Sequence, residues 1–571
     1  MRLGRRDILL GGSAAFAAAC SSWNPTRQAA DLILHGGQVL TVDARFSTGT
    51  ALAVKDGQIA AVGGREILDN WSSPDVVDLA GRTLMPGFTD SHVHIYSLSP
   101  RAIVPDKVKS MAELQDMLRA KAAELGKGEW ITGYGWDEAQ LVERRNPTRQ
   151  DLDVATPDNP VVLTRAGGHS AVGNSRALEL AQITRVTKDP EGGIIERDAS
   201  GEPTGIVRER FDLFTKFVPA DPFEVLRPSF IQALKNLLPF GITSFQSAST
   251  SIGDEPVDGQ PDRPGSGLTY RRMRAIYDEL GVDLPRSTLY ISYPGEARMK
   301  AFGKKSGDGD DRVRLGPIGE NFVDGGFTGP TAWLLADYKG QPGFRSQGNY
   351  TDRELQGLID TCNEYGWQMG LHAIGDAAIV QTVNAYVASL KKNPRSDHRW
   401  FLDHFTIMPP DETMKAMADN GIMIAQQPNF LYNLEARYQS TLDDWRLAHN
   451  NSIATPTKKH GIFMAFSSDN LPIDPRVGLY AATTRKGPSG TVHGAEEAVT
   501  RQEAIRMYTA NGPYLSREEK TKGTLEVGKL ADMCVIEQDP LKVSDSELLN
   551  LNVDMTFVGG KRVFTREKAP P

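Results

Sequence analysis

His92 and His94 stand one residue apart in a chain with only ten histidines. They close the stretch RTLMPGFTDSHVHI, residues 82–95, which is apolar and β-favouring. On an extended strand, side chains two apart point to the same face. The two imidazoles would then converge on one point, as a metal ion requires. A pair of histidines on a solvated face is the plain alternative, and the apolar flanks argue against it. Further on, GENFVDGG carries Glu320, GLHAIGD carries His372, FLDHFT carries His404 and AFSSDN carries Asp469. Each sits near the end of a strand expected from its local pattern. A lone histidine is more often a hydrogen-bonded core residue, but four such groups following a His-x-His make a ligand set. Imidazole and carboxylate suit zinc and similar divalent ions, so one or two divalent ions are expected, zinc first. Such an ion lowers the pKa of bound water toward neutrality and makes hydroxide available.

The elements that must position these residues are legible in part. TDRELQGLIDTCNEYG places Leu355, Leu358, Ile359 and Cys362 at helical spacing, with Thr351 and Glu354 as a capping box and Gly366 as the stop. WQMGLHAIGD reads as a buried strand, a helix follows from about Ala377 to Leu390, and RWFLDHFTIM is the next strand. PPDETMKAMADNG is a helix, followed by strands in IMIAQQP and IFMAFSSDN. This alternation argues for a parallel sheet with crossover helices. At 571 residues a (β/α)8 barrel spanning 86–519 is the expectation, with a doubly wound open sheet as the structural alternative. Active sites of such barrels lie at the C-terminal ends of the strands, where the six candidate ligands fall.

Both chain ends read differently. Residues 31–85 and 520–571 consist of short β runs with glycine turns, such as the hairpin ALAVKDGQIAAVG around Asp56-Gly57 and MTFVGGKRVF around Gly559-Gly560. They are expected to meet as one small composite β-sandwich. The segment from about 100 to 222 reads as a large polar, turn-rich insertion over the barrel mouth.

Residues 1–20, MRLGRRDILLGGSAAFAAAC, read as a signal peptide and 21–30 as a linker. The apolar run is too short to cross a bilayer, and Arg5-Arg6 suggests the twin-arginine route. Cys20 resembles a lipoprotein cleavage site and so a lipid anchor, with ordinary cleavage after Ala15-Phe16-Ala17 as the competing reading. The expected location is therefore the periplasm or the envelope membrane surface. Three cysteines in all give no disulfide framework. A net charge of −8 offers no basic stripe for nucleic acid, which leaves a small-molecule substrate.

LMPGFTDSHVHI, GLHAIGDAAI, FLDHFTIMPP, FSSDN and GTLEVGKLADMCVI together resemble the amidohydrolase superfamily. EWITGYGWDEAQL, PTRQDLD, GGHSAVGNSRAL and GEPTGIVRE in the insertion resemble the branch that includes N-substituted formamide deformylases. The resemblance covers nearly all of the mature chain. It implies a metal-dependent barrel with a composite β-sandwich that hydrolyses an amide-type C–N bond other than a peptide bond. By position it makes His92 and His94 ligands of the more buried metal. His372 and His404 become ligands of a second metal, or contacts to a substrate oxygen. Asp469 becomes both ligand and general base, passing a proton to the leaving amine. The branch commonly shows Lys-x-Phe-x-Asp-Gly where this chain has Glu320 to Gly325. A carboxylated lysine bridges two metals in many relatives, so Glu320 is expected to bridge in its place, against a plain charge at the rim. Asp403 replaces the usual Glu beside the histidine and is expected to orient a ligand. His169 is the candidate substrate or transition-state contact from the insertion. Trp136 and Asp137 read as packing and turn residues. His35, His398, His449, His460 and His493 lack ligand context. Two rivals stand beside amide hydrolysis: hydrolysis of a cyclic amide, ester or lactone, and a lipoprotein that binds a small molecule without turnover.

Overall fold

A computed structural model describes residues 27–166, 168, 170–190, 192–253 and 268–567. The twin arginines, Cys20 and His169 lie outside the described residues. Eight strands form the centre: β1 (Phe88–Val93), β2 (Ile242–Thr250), β3 (Arg286–Ile291), β4 (Val313–Ile318), β5 (Gly370–Ala373), β6 (Phe401–His404), β7 (Met423–Gln426) and β8 (Met464–Phe466). Strands β1 to β4 pair in parallel and in order, as do β5 to β8. Parallel bridges Ile318–Met369 and Phe322–His372 join the two halves. At the other seam the Asp469 N–H donates to the His92 carbonyl at 2.9 Å. The sheet is thus a closed parallel cylinder with helices between its strands, the (β/α)8 barrel that the alternation predicts.

The helices form where apolar spacing and caps agree. Asp352–Glu364 begins at the Thr351/Glu354 capping box and buries Leu355, Leu358, Ile359 and Cys362. Asp376–Lys392 carries Lys391 and Lys392 in its last turn, where the helix dipole favours cations. The early barrel strands are buried but polar: β2 reads ITSFQSAST, with Thr243, Ser244, Gln246 and Ser247 all inside.

Strands from both chain ends share one eight-stranded sheet. Thr83–Pro86 pairs with Leu32–Leu40 on one side and with Met533–Ile536 on the other. Leu34 and Leu52 then share a core with Val535 and Phe557. Asp56 and Gly57 both have positive φ, 52° and 75°, as a two-residue hairpin turn requires. Gln28–Ala29 pairs with Trp71–Ser72, so the stretch expected as linker up to residue 30 already holds a strand. Arg286 on β3 fixes this sheet to the barrel. Its guanidinium donates to both carboxylate oxygens of Asp532 at 2.7 and 3.1 Å, and both side chains are buried.

The insertion is more ordered than its polar, turn-rich sequence suggests. It holds a six-stranded mixed sheet built from Ala102–Ile103, Ile131–Trp136, Val161–Arg165, Ser170–Gly173, Ile194–Arg197 and Pro203–Arg208. Leu114, Leu118, Ile131, Trp136 and Leu163 form one core beside it. Val162, Ala171, Ile195, Val207 and Phe214 form another. Glu138, just past the Ile131–Trp136 strand, pairs at 3.2 Å with Arg437 in the helix Glu435–Thr441 that follows β7. That ion pair ties the insertion to the segment that follows β7. Among the described residues no helix is long and apolar enough to cross a membrane.

Candidate metal centre

All six ligand candidates meet at the C-terminal ends of the barrel strands. His92 is the last residue but one of β1, with His94 just beyond the strand. Glu320 lies two residues past β4, His372 is in β5, His404 ends β6 and Asp469 follows β8. His92 is fully buried, Glu320, His372 and His404 nearly so, while His94 and Asp469 line the more open side, with side chains 10% and 17% exposed.

Glu320 is the hub. Its Oε1 lies 2.7 Å from His372 Nδ1 and 2.8 Å from His404 Nε2. Its Oε2 lies 3.5 Å from His92 Nε2 and 3.4 Å from His94 Nε2. One carboxylate thus gives one oxygen to each histidine pair. Asp469 Oδ1 completes the first pair, 3.0 Å from His94 Nε2 and 3.5 Å from His92 Nε2. Burial opposes charge on Glu320. The imidazoles of His92, His372 and His404 outweigh it and hold its carboxyl well below the usual range. Asp469 is lowered in the same way, His92 and His94 prevailing over burial. Burial also opposes a proton on His92, and Asp403 and Glu320 more than reverse that.

The surrounding contacts decide which ring nitrogen faces inward. Gln427 donates from Nε2 to Ser467 Oγ at 2.9 Å, so its Oε1 accepts from His404 Nδ1 at 2.8 Å. The lone pair of His404 Nε2 then points at Glu320. His372 Nε2 donates to the Gly325 carbonyl at 3.3 Å, leaving Nδ1 toward Glu320. Asp403 Oδ1 sits 3.0 Å from His92 Nδ1, leaving Nε2 inward. A neutral imidazole nitrogen and a carboxylate that face each other need a proton or a cation between them.

His92 Nε2 and Glu320 Oε2 are buried and make no hydrogen bond among the described residues. Buried polar atoms without a partner are costly. Two of them, 3.5 Å apart within a set of four imidazoles and two carboxylates, fit a divalent cation. The groupings that fit are His92, His94 and Asp469, and His92, Glu320 and His404. His404, Phe405, Asp469 and Asn470 all adopt positive φ, from 49° to 75°. Such backbone is uncommon outside glycine and concentrates at functional sites.

Residues 75–564 match the amidohydrolase family profile. The chain belongs to that family. This amidohydrolase is 30% identical over 548 residues to the putative amidohydrolase YtcJ of Bacillus subtilis, covering 94% of this chain and 99% of that protein. It is 29% identical over 562 residues to the N-substituted formamide deformylase of Arthrobacter pascens, with the same coverage of each. Among solved structures it resembles an uncharacterized metal-dependent hydrolase from Pyrococcus horikoshii. The TM-score there is 0.68 and the identity 22%, covering 90% of this chain and 99% of that one. That likeness shows the fold.

Several side chains that serve this amidohydrolase's site carry no sequence signal of their own. Gln427, which orients His404, directly follows β7. Tyr290 donates to the Ser91 carbonyl at 2.8 Å and lies 3.2 Å from Asp403 Oδ1. Asp90 accepts from the Ser468 N–H at 2.9 Å and from its hydroxyl, fixing the chain just before Asp469. Elsewhere, Trp136 is fully buried, Asp137 accepts from the Ala139 N–H in a turn, and Arg165 is held by Glu138 at 2.7 and 2.8 Å. His398, His449, His460 and His493 pair with Asn420, Glu496, Asp411 and Glu435 away from the centre.

Proposed function

We propose that the chain hydrolyses an amide-type C–N bond of a small molecule with the help of divalent ions, zinc first, and that it does so after export to the cell envelope. The observation that carries this reading is the division of the Glu320 carboxylate, one oxygen toward His92 and His94 and the other toward His372 and His404. That arrangement suits a carboxylate between two cations, in the place that a carboxylated lysine takes in many relatives.

His92, His94 and Asp469 would hold one ion, His372 and His404 the other, with Glu320 between. Divalent ions held there supply Lewis-acid polarisation of a carbonyl and lower the pKa of water. The protein's own part is the proton traffic. Asp469 keeps an ionised carboxylate beside His94 on the open side of the centre. It takes the proton of the attacking water and gives it to the leaving amine. Asp403, Gln427 and the Gly325 carbonyl keep the imidazoles in the tautomers that leave their inner nitrogens bare. His169 is the proposed contact from the insertion to the substrate oxygen. The likeness to the formamide deformylase supports the choice of a C–N bond. The twin arginines and Cys20 support export.

The test is a panel of N-substituted amides, cyclic amides, esters and lactones, run with the as-purified metal and with Asp469→Asn. Turnover of open-chain amides by the wild type, lost in the variant while its metal is retained, is the expected result. Preference for an ester or lactone would move the substrate class. Wild-type rates in Asp469→Asn would refute the proton-transfer role.

A further inference from the structure

His94 lies beyond the last residue of β1, and on the side of β8 the neighbouring strand has already ended at Phe466. The seam between β1 and β8 nevertheless continues past the end of β8. The Asp90 carboxylate accepts from the Ser468 N–H at 2.9 Å, and the Asp469 N–H donates to the His92 carbonyl at 2.9 Å. At the next step the backbone of β8 has turned away, because Asp469 and Asn470 take φ values of 49° and 61°. The Asn470 side chain takes over. Its Oδ1 accepts from the His94 N–H at 2.7 Å, and its Nδ2 donates to the His94 carbonyl at 2.9 Å. A carboxamide offers the same donor and acceptor as a peptide group. It reproduces here the two-bond exchange of a hydrogen-bonded residue pair.

Asn suits this position twice over, since it tolerates the left-handed backbone better than most residues and carries both groups the exchange needs. Through it, His94 is tied to the residue that directly follows Asp469. The side chains so linked lie 3.0 Å apart, Nε2 to Oδ1. We propose that Asn470 is a positioning residue that fixes the spacing of His94 and Asp469, and so the affinity of the one ion they share with His92. This rests on the reading of those three residues as ligands of a common ion.

The experiment compares wild type, Asn470→Gly and Asn470→Asp. Metal content is measured after dialysis against graded chelator, alongside thermal melting. Glycine keeps the left-handed backbone and removes both bonds. Aspartate keeps the acceptor for the His94 N–H and loses the donor. Expected is a wild type with two ions, a Gly variant in which one ion is released at roughly 10–100-fold lower chelator while the other is held as before, and an Asp variant in between. Melting temperatures should stay close together. A Gly variant that holds both ions like the wild type overturns the proposal. So does one that loosens both ions equally, which would mark a general structural role. A wild type without any divalent ion would instead refute the ligand reading itself, and is told apart by that first measurement.

Discussion

Asp403 Oδ1 lies 3.0 Å from His92 Nδ1, and neither side chain has any exposed surface. A carboxylate behind an imidazole fixes the ring's orientation and makes its other nitrogen a better donor. Asp403→Asn should therefore weaken divalent-ion binding by about 10–100-fold and leave the fold intact. Chelator competition followed by elemental analysis measures it, and unchanged affinity would reduce Asp403 to a packing residue.

Gln427 performs the same service for His404 with an uncharged group. Gln427→Leu removes the acceptor for His404 Nδ1 at nearly constant volume. The ion between His372 and His404 should then bind about 10-fold more weakly, with the ion at His92 and His94 little changed. Stepwise metal titration monitored by calorimetry separates the two.

Glu320 reaches both pairs, so its loss should differ in kind from either. Glu320→Ala is expected to cut the metal content from two ions to one or fewer. Glu320→Asp keeps the charge but shortens the reach, and should still bind fewer than two. A wild-type count in Glu320→Ala would leave the carboxylate as a buried charge with no ligand role.

The remaining prediction concerns stability. Burial opposes ionisation of Asp532, and Arg286 outweighs it and lowers its pKa. A carboxylate with a lowered folded pKa stabilises the fold above its unfolded value, about 4. That contribution drains away as the pH falls through the folded value. Asp532→Asn leaves the buried guanidinium with the Asp311 carboxylate alone and should cost about 2 kcal/mol at pH 7. The gap between wild type and variant in urea unfolding midpoints should narrow below about pH 4. A gap that is constant with pH would mean that the charge of Asp532 contributes nothing.

These residues also show what could be read in advance. His92, His94, His372, His404 and Asp469 were legible because each ends an apolar or strongly patterned strand, and alternating strands and helices imply one rim where strand ends gather. Glu320 was legible as a strand-end candidate beside them, but its bridging role only through resemblance, since nothing in GENFVDGG itself separates a bridging carboxylate from a plain buried charge. Gln427 was not legible, because an amide at a strand end has no chemistry that distinguishes it from any buried polar group. Strand β2 escaped notice for a related reason. Its Thr243, Ser244, Gln246 and Ser247 are buried inside the barrel and mimic a loop in sequence. The insertion hid its sheet in strands of two to six residues divided by charged turns, too short for alternation to stand out.

The central claim is that two divalent cations bind around Glu320 and are needed for hydrolysis. Elemental analysis of the as-purified protein, paired with amide turnover before and after chelation and again after the metal is restored, tests it most directly. Close to two equivalents of a divalent metal per chain are expected, with activity that falls with the metal and returns with it. Protein that hydrolyses amides at the same rate with no divalent metal would contradict the account.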